Sequence, residues 1–266
     1  MSGRAGGLVL VDKPVGPSSF AIVREQRRRH GAKAGHAGTL DPAASGLLLV
    51  LLGAATRLAR YLVGLDKRYV TVIRLGTRTT TGDAEGDVLE ETELPGDLDA
   101  ALDRLRGEIE LRVPAASAIK IGGERAYRLH RRGVEVEMPL RASSVHELLP
   151  LRYEPPDVEL ELHVGSGTYV RAIADALGGH CRSLRRTAVG PFPVEDADEA
   201  IVLDPRATLP HLPELELGPA DVGRVLSGQP VACPGDGRAR LVHDGRLVAV
   251  ARLGAGLARP ETVLPW

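Results

Sequence analysis

Between Gly35 and Leu49 the chain reads Gly-His-Ala-Gly-Thr-Leu-Asp-Pro-Ala-Ala-Ser-Gly-Leu-Leu-Leu, and no other stretch restricts the fold as much. Gly35, Gly38 and Gly46 allow close backbone approach or positive φ, and Pro42 biases Asp41 toward extended backbone. The apolar run Leu47 to Leu52 is the length of one fully buried strand. A shaped loop thus delivers one imidazole, His36, and one carboxylate, Asp41, just ahead of a rigid element. The competing reading is an ordinary Asp-Pro turn with a surface histidine.

A chain of 266 residues holds one large domain, or a catalytic domain with a small appendage. Its formal net charge is -1, so a polyanion has to be held by local patches rather than by the protein as a whole. Cys181 and Cys233 stand far apart with no Cys-x-x-Cys, which gives neither a disulfide framework nor a metal spacing. No apolar run approaches the roughly 18 residues of a membrane span, so the expectation is a soluble, untargeted protein in a reducing cytoplasm. Aromatic residues are 3% of the chain, too few for a platform of stacked bases. Of 34 basic residues only Lys13, Lys33, Lys67 and Lys120 are lysine, a placement expected where a compact ammonium is wanted.

Taken in order, Leu8 to Val11 reads as a short buried strand and Phe20 to His30 as a helix capped by Ser18 or Ser19. That helix runs into five basic residues and one acid over 24–33. Ala55 to Leu65 has helical spacing, and Tyr69 to Leu75 alternates as a strand, in which Tyr69 is by periodicity an ordinary core aromatic. Eight acids between Asp83 and Asp99 place that stretch away from any cleft that holds a polyanion. A helix is expected over Leu98 to Leu105, capped by Asp97, and strands over 108–112, 143–153 and 158–164. Five basic residues against one acid lie between Lys120 and Gly133, an exposed basic helix on composition alone. The glycine-rich turn at 165–168 opens a helix and presents backbone N–H groups. From about Leu209 short strands and Pro and acidic residues indicate a small β-rich module, or the rim of a single domain.

Five separated blocks, in order, resemble the TruB family of tRNA pseudouridine synthases: Asp12-Lys13-Pro14-Val15-Gly16-Pro17-Ser18-Ser19, the 35–46 segment, Lys67-Arg68-Tyr69 with Leu75 to Asp83, Gly167 to Gly178, and Leu184 to Gly190. The resemblance implies an α+β fold: a pseudouridine synthase catalytic core over 1–208 with a mixed, largely antiparallel sheet and flanking helices, an RNA-clasping insertion near 120–140, and a PUA-like RNA-binding module over 209–266. It implies Asp41 as the nucleophile, Arg171 paired with it, and Tyr69 against a flipped base. His36, Tyr169 and Leu184 are implied at the substrate, and Lys13 is grouped with them, although its segment supports the catalytic loop from beneath. Ala116 departs from the family, which has Tyr there. The implied reaction isomerises the T-loop uridine conventionally numbered 55 in tRNA, without cofactor or metal, by a monomer with no obligate protein partner and no membrane contact. Two alternatives remain: a carboxylate-dependent nucleosidase, which would need a second carboxylate near the first, and a tRNA-binding or folding factor without catalysis.

Overall fold

The computed structural model describes residues 6–265. The chain opens with strand β1 (Leu8–Lys13), whose apolar residues are buried on both faces, and helix α1 (Ser19–His30). Ser18 caps the helix by accepting from the Ala21 amide, and Gly31 ends it in the left-handed region with four basic residues in the last turn. Strands β2 (Ala34–His36) and β3 (Ser45–Leu52) flank the loop that carries Asp41.

The helix expected over 55–65 is broken. A 3₁₀ turn at Gly53–Leu58 leads into the four-residue α2 (Ala59–Leu62). The Lys67 ammonium then donates to the carbonyls of Val63 at 2.7 Å and Leu65 at 2.5 Å, taking acceptors a longer helix would have used. β4 (Lys67–Leu75) follows, then the short hairpin β5 (Thr77–Thr79) and β6 (Val88–Glu91), whose acidic residues are exposed. Helix α3 (Leu98–Asp103), capped by Asp97, precedes β7 (Gly107–Arg112). The basic segment forms a small hairpin, β8 (Lys120–Ile121) and β9 (Glu124–Arg125), and a one-turn-and-a-half helix α4 (Ala126–Arg131). Val113, Ala126 and Met138 pack it onto Tyr169.

β10 (Leu140–Glu154), β11 (Asp157–Val164), helix α5 (Val170–Ala176), β12 (Gly179–Val189) and β13 (Phe192–Pro193) complete a nine-stranded sheet. Its order is β1-β3-β12-β4-β11-β10-β7, with β2 added to β3 and β13 to β12. Every pairing in it is antiparallel except one, β3 with β12, which is parallel over only two residue pairs. That seam divides the sheet. The β4, β11, β10 and α5 side buries one core, which includes Leu40 and Ala44 from the Asp41 loop.

Residues beyond 209 form a second sheet: β14 (Glu214–Glu216), β15 (Val231–Ala232), β16 (Gly237–His243), β17 (Arg246–Gly254) and β18 (Leu257–Val263), with helix α6 (Pro219–Leu226) against it. It has its own core around Val225, Leu241 and Val248. Val242, Leu247, Val250 and Leu264 nevertheless share a second core with Leu8, Leu10, Leu47 and Leu49. No helix among the described residues is long and apolar enough to cross a membrane.

Candidate active site

The loop between β2 and β3 is held from beneath. The Ser19 hydroxyl accepts from the Leu40 amide at 2.8 Å and donates to the Leu40 carbonyl at 2.7 Å. The Gly16 amide donates to Pro42 O at 2.8 Å. Lys13 is fully buried, and its ammonium reaches the carbonyls of Pro14, Pro17 and Pro42 at 2.8, 3.0 and 3.4 Å. Burial lowers its pKa, while the charge of Asp41 pulls it back up. Lys13 is thus a strut under the loop, and the expected substrate contact is corrected: a side chain with no exposed surface has none to offer.

Asp41 and Arg171, 130 positions apart, meet above this base. Arg171 Nε and Nη2 both approach Asp41 Oδ2, at 3.0 and 2.8 Å. Nη2 also donates to Ala116 O at 2.9 Å and Nη1 to Thr81 O. The guanidinium is 4% exposed and the Asp41 side chain 36%. A buried, fully engaged cation therefore aims a carboxylate that stays open to the cleft, and among the described residues no donor reaches Oδ1. At Ala116 the useful atom is the backbone carbonyl, which is why the departure from the family's Tyr leaves this contact intact.

The open side of Asp41 faces a cleft of about 280 Å³. Tyr69, Tyr169 and Leu184 line it, joined by Thr39, Lys67, Thr168 and Arg186. Tyr69 is 8% exposed and belongs to the core as well as to the cleft, so both readings of it describe the same ring. Burial pushes the Tyr169 phenol up. His36 is not part of this lining. It lies on β2 opposite Val50, half-buried, with Nδ1 buried and without a hydrogen-bond partner; burial, helped by the charge of Arg186, lowers its pKa.

Three residues at the site lie in the matching blocks but were given no role there by sequence. Asp83 leaves its acidic neighbours and sits behind the pair, its Oδ2 3.9 Å from Arg171 Nη1 and its Oδ1 2.6 Å from the Thr81 hydroxyl. It is the residue of the acidic 83–99 stretch that also belongs to the matching Leu75 to Asp83 segment, and none of that stretch lines the cleft. Lys67 has its pKa lowered to about 8, by burial first and then by Arg186; its signals in the sequence were the scarcity of lysine and its place in the Lys67-Arg68-Tyr69 block. Arg186 is buried beneath Gly38 and Thr39. The other arginines of this strand are engaged: Arg182 pairs with Asp157 and Arg185 takes both oxygens of Asp12. Arg27, Arg28 and Lys33 line an open hollow at the end of α1. Cys181, near Asp41, has its thiol pushed up to about 12 by burial and is no nucleophile.

Asp66, His146 and His163 gather potential ligand atoms within 4.8 Å of one another, and none of them lines the cleft. Arg68 Nη2 lies 3.4 Å from His163 Nδ1, which favours the tautomer with its proton on Nε2, turned to Asp66. That donor set fits a hydrogen-bonded cluster better than a metal.

Residues 26–170 match the model of the TruB family pseudouridylate synthase, N-terminal domain. A tRNA pseudouridine synthase B from Mycobacterium sp. (strain KMS) is 40% identical, over 99% of this chain and 97% of its own length. Another from Yersinia enterocolitica is 38% identical, over 89% of this chain and 83% of its own. Among solved structures, a Cbf5-Nop10-Gar1 complex contains a chain that superposes with a TM-score of 0.72 at 26% identity, covering 97% of this chain and 84% of that one. An H/ACA RNP bound to a substrate RNA containing 2′-deoxyuridine gives 0.74 at 24% identity, covering 98% and 85%, a likeness of fold.

Proposed function

Since the chain belongs to the TruB family of pseudouridylate synthases, we propose that it isomerises a tRNA uridine to pseudouridine, that the uridine is the T-loop residue numbered 55, and that Asp41 carries the reaction. The observation that supports the residue assignment is the Asp41–Arg171 contact at 2.8 Å on the wall of a cleft lined by Tyr69, Tyr169 and Leu184.

The reaction breaks C1′–N1, turns the uracil, joins C5 to C1′ and releases the C5 proton. Nothing is oxidised and no outside group is added. A carboxylate serves such a reaction by adding covalently or by taking a proton, and each role needs it ionised and aimed. Arg171 aims it through Oδ2, and Oδ1 is left for the reacting atom. The uridine has to leave its stack first, at a cost of a few kcal/mol. Tyr69 and Leu184 then receive an apolar base face, and His36, outside the cleft, meets the RNA from which the base has left. Arg27, Arg28 and Lys33 on one side and the α4 segment on the other hold phosphates, so the shape of the arm matters more than its sequence. The module after 209 is PUA-like and extends this RNA contact; the enzyme works as a monomer in the cytoplasm.

The second carboxylate a nucleosidase would need is present in Asp83, but it lies behind Arg171 with its oxygens on Thr81 and the guanidinium, not across a substrate. A transcript carrying C5-tritiated uridine tests the proposal. One tritium released per tRNA is expected, and none when the T-loop uridine is replaced by cytidine; release unaffected by that replacement overturns the site assignment.

A further inference from the structure

Among the described residues Arg186 is the bulkiest of the fully buried side chains, 1% exposed. A guanidinium in that position is costly unless its donors and its charge are met. Its donors are met: Nε reaches Leu47 O at 2.7 Å, Nη2 reaches Gly38 O at 3.2 Å and Nη1 reaches Thr39 O at 3.3 Å. Its charge is not. Arg182 and Arg185 on the same strand are paired with acids, whereas Arg186 has no carboxylate partner among the described residues, and all three acceptors are carbonyls of the one segment that carries Asp41.

Its place in the sheet gives this a purpose. The β3–β12 ladder pairs Ser45 with Arg185 and Gly46 with Arg186. Asp41 precedes β3 on one side of that seam, in a loop whose Leu40 and Ala44 reach across into the core of α5, the helix that carries Arg171. The 2.8 Å contact between them therefore depends on how the Asp41 loop is held against β12 and α5. Arg186 crosses the seam. Its backbone is paired with Tyr69 of β4, and its side chain grips carbonyls on both sides of Asp41 in sequence. Gly46 makes the approach possible, since a Cβ there would fall 2.2 Å from the Arg186 carbonyl oxygen.

We propose that Arg186 is a positioning residue of the reaction: it fixes the Asp41 loop against the half of the sheet that holds Arg171, and leaves an unneutralised positive charge in the floor of the cleft that receives the base. The inference rests on the reading of Asp41 as the reacting group. It has an electrostatic consequence. When C1′–N1 breaks with the bonding pair on N1, the uracil takes up negative charge, and a cation already in place favours that state without reorganising. The same charge contributes to the lowered pKa values of Lys67, His36 and Lys13, in each case behind burial.

Arg186→Met removes charge and donors; Arg186→Lys keeps a charge but lacks the planar fork whose separate nitrogens each meet a different carbonyl. Single-turnover pseudouridine formation is expected to fall at least about 100-fold in both, the scale of a misplaced reacting group, with the tRNA Kd changed less than about threefold. A purely structural role would not move a second readout. The chain has four lysines, so ¹³C-lysine NMR follows each one, and Lys67 is expected to titrate higher in Arg186→Met than in the wild type and to stay low in Arg186→Lys. A wild-type turnover rate in either variant, or an unmoved Lys67 titration in Arg186→Met, overturns the proposal. If Arg186→Met does not fold, the rate and Kd of Arg186→Lys decide. Asp41→Asn run alongside separates the two readings: activity there removes the nucleophile assignment, whereas an inactive Asp41→Asn beside a fully active Arg186→Lys removes only the role of Arg186.

Discussion

Arg171 uses two nitrogens on a single oxygen of Asp41 and spends the rest of its guanidinium on the backbone at Thr81 and Ala116. A lysine in its place keeps the charge but not the fork. Arg171→Lys is therefore expected to lower kcat by about 100-fold while leaving tRNA affinity within a few-fold, as read by single-turnover assays and filter binding. Lys67 gives a prediction of a different kind. Its folded pKa, about 8, lies below the ordinary lysine value of 10.5, so above about pH 8 the unfolded chain holds a proton that the folded one has released. Stability conferred by this site then rises with pH over that window. Urea melts at pH 7.5 and 9.5 are expected to show the wild type gaining about 2 kcal/mol relative to Lys67→Met; no difference between the two pH values would contradict the burial assigned to this ammonium. Asp41 and Arg171 were legible because short motifs surround them. Arg186 also lies in a matching block, Leu184 to Gly190, but its place was not legible, since an arginine under a loop and one on a surface look alike in sequence, and only the strand register shows which it is.

At the level of elements, alternation in 67–75 and 157–164 and the capping serine before α1 made most strands and helices readable. Strand order was not, because the seam between β3 and β12 rests on two residue pairs. The split helix at 53–62 was also hidden, because the group that takes the carbonyls of Val63 and Leu65 is Lys67, on the next strand. Gly46 ties the seam to chemistry. It has φ of 104° and its missing Cβ would meet backbone, whereas Gly16, with φ of 109°, has nothing within 4 Å. Gly16→Ala should therefore cost only backbone strain, about 1–2 kcal/mol, and Gly46→Ala more than about 3 kcal/mol with loss of turnover. Denaturant midpoints of the two variants test the contrast, and equal midpoints would refute it.

For the molecule as a whole, a net charge of -1 means that RNA is held by local basic groups against an overall balance that does nothing to help. Affinity for tRNA should fall steeply with salt, and a flat titration between 50 and 200 mM would exclude phosphate contact as the main grip. The C-terminal sheet is more than an appendage. Val242, Leu247 and Val250 complete a core with Leu8, Leu47 and Leu49, and the Tyr61 hydroxyl meets Thr262 at 2.8 Å. A chain ended at 208 would expose that core and is expected to aggregate or melt far below the full-length protein, which thermal unfolding of both will show. A change of composition near 209 marked the module, while the shared core could not be seen in composition, since buried and surface-facing valines on a strand are written the same way. The most direct measurement is tritium release by Asp41→Asn on C5-labelled tRNA, with binding followed in parallel. Release abolished and Kd within a few-fold of wild type is the predicted result, and pseudouridine formation at the wild-type rate would contradict the account.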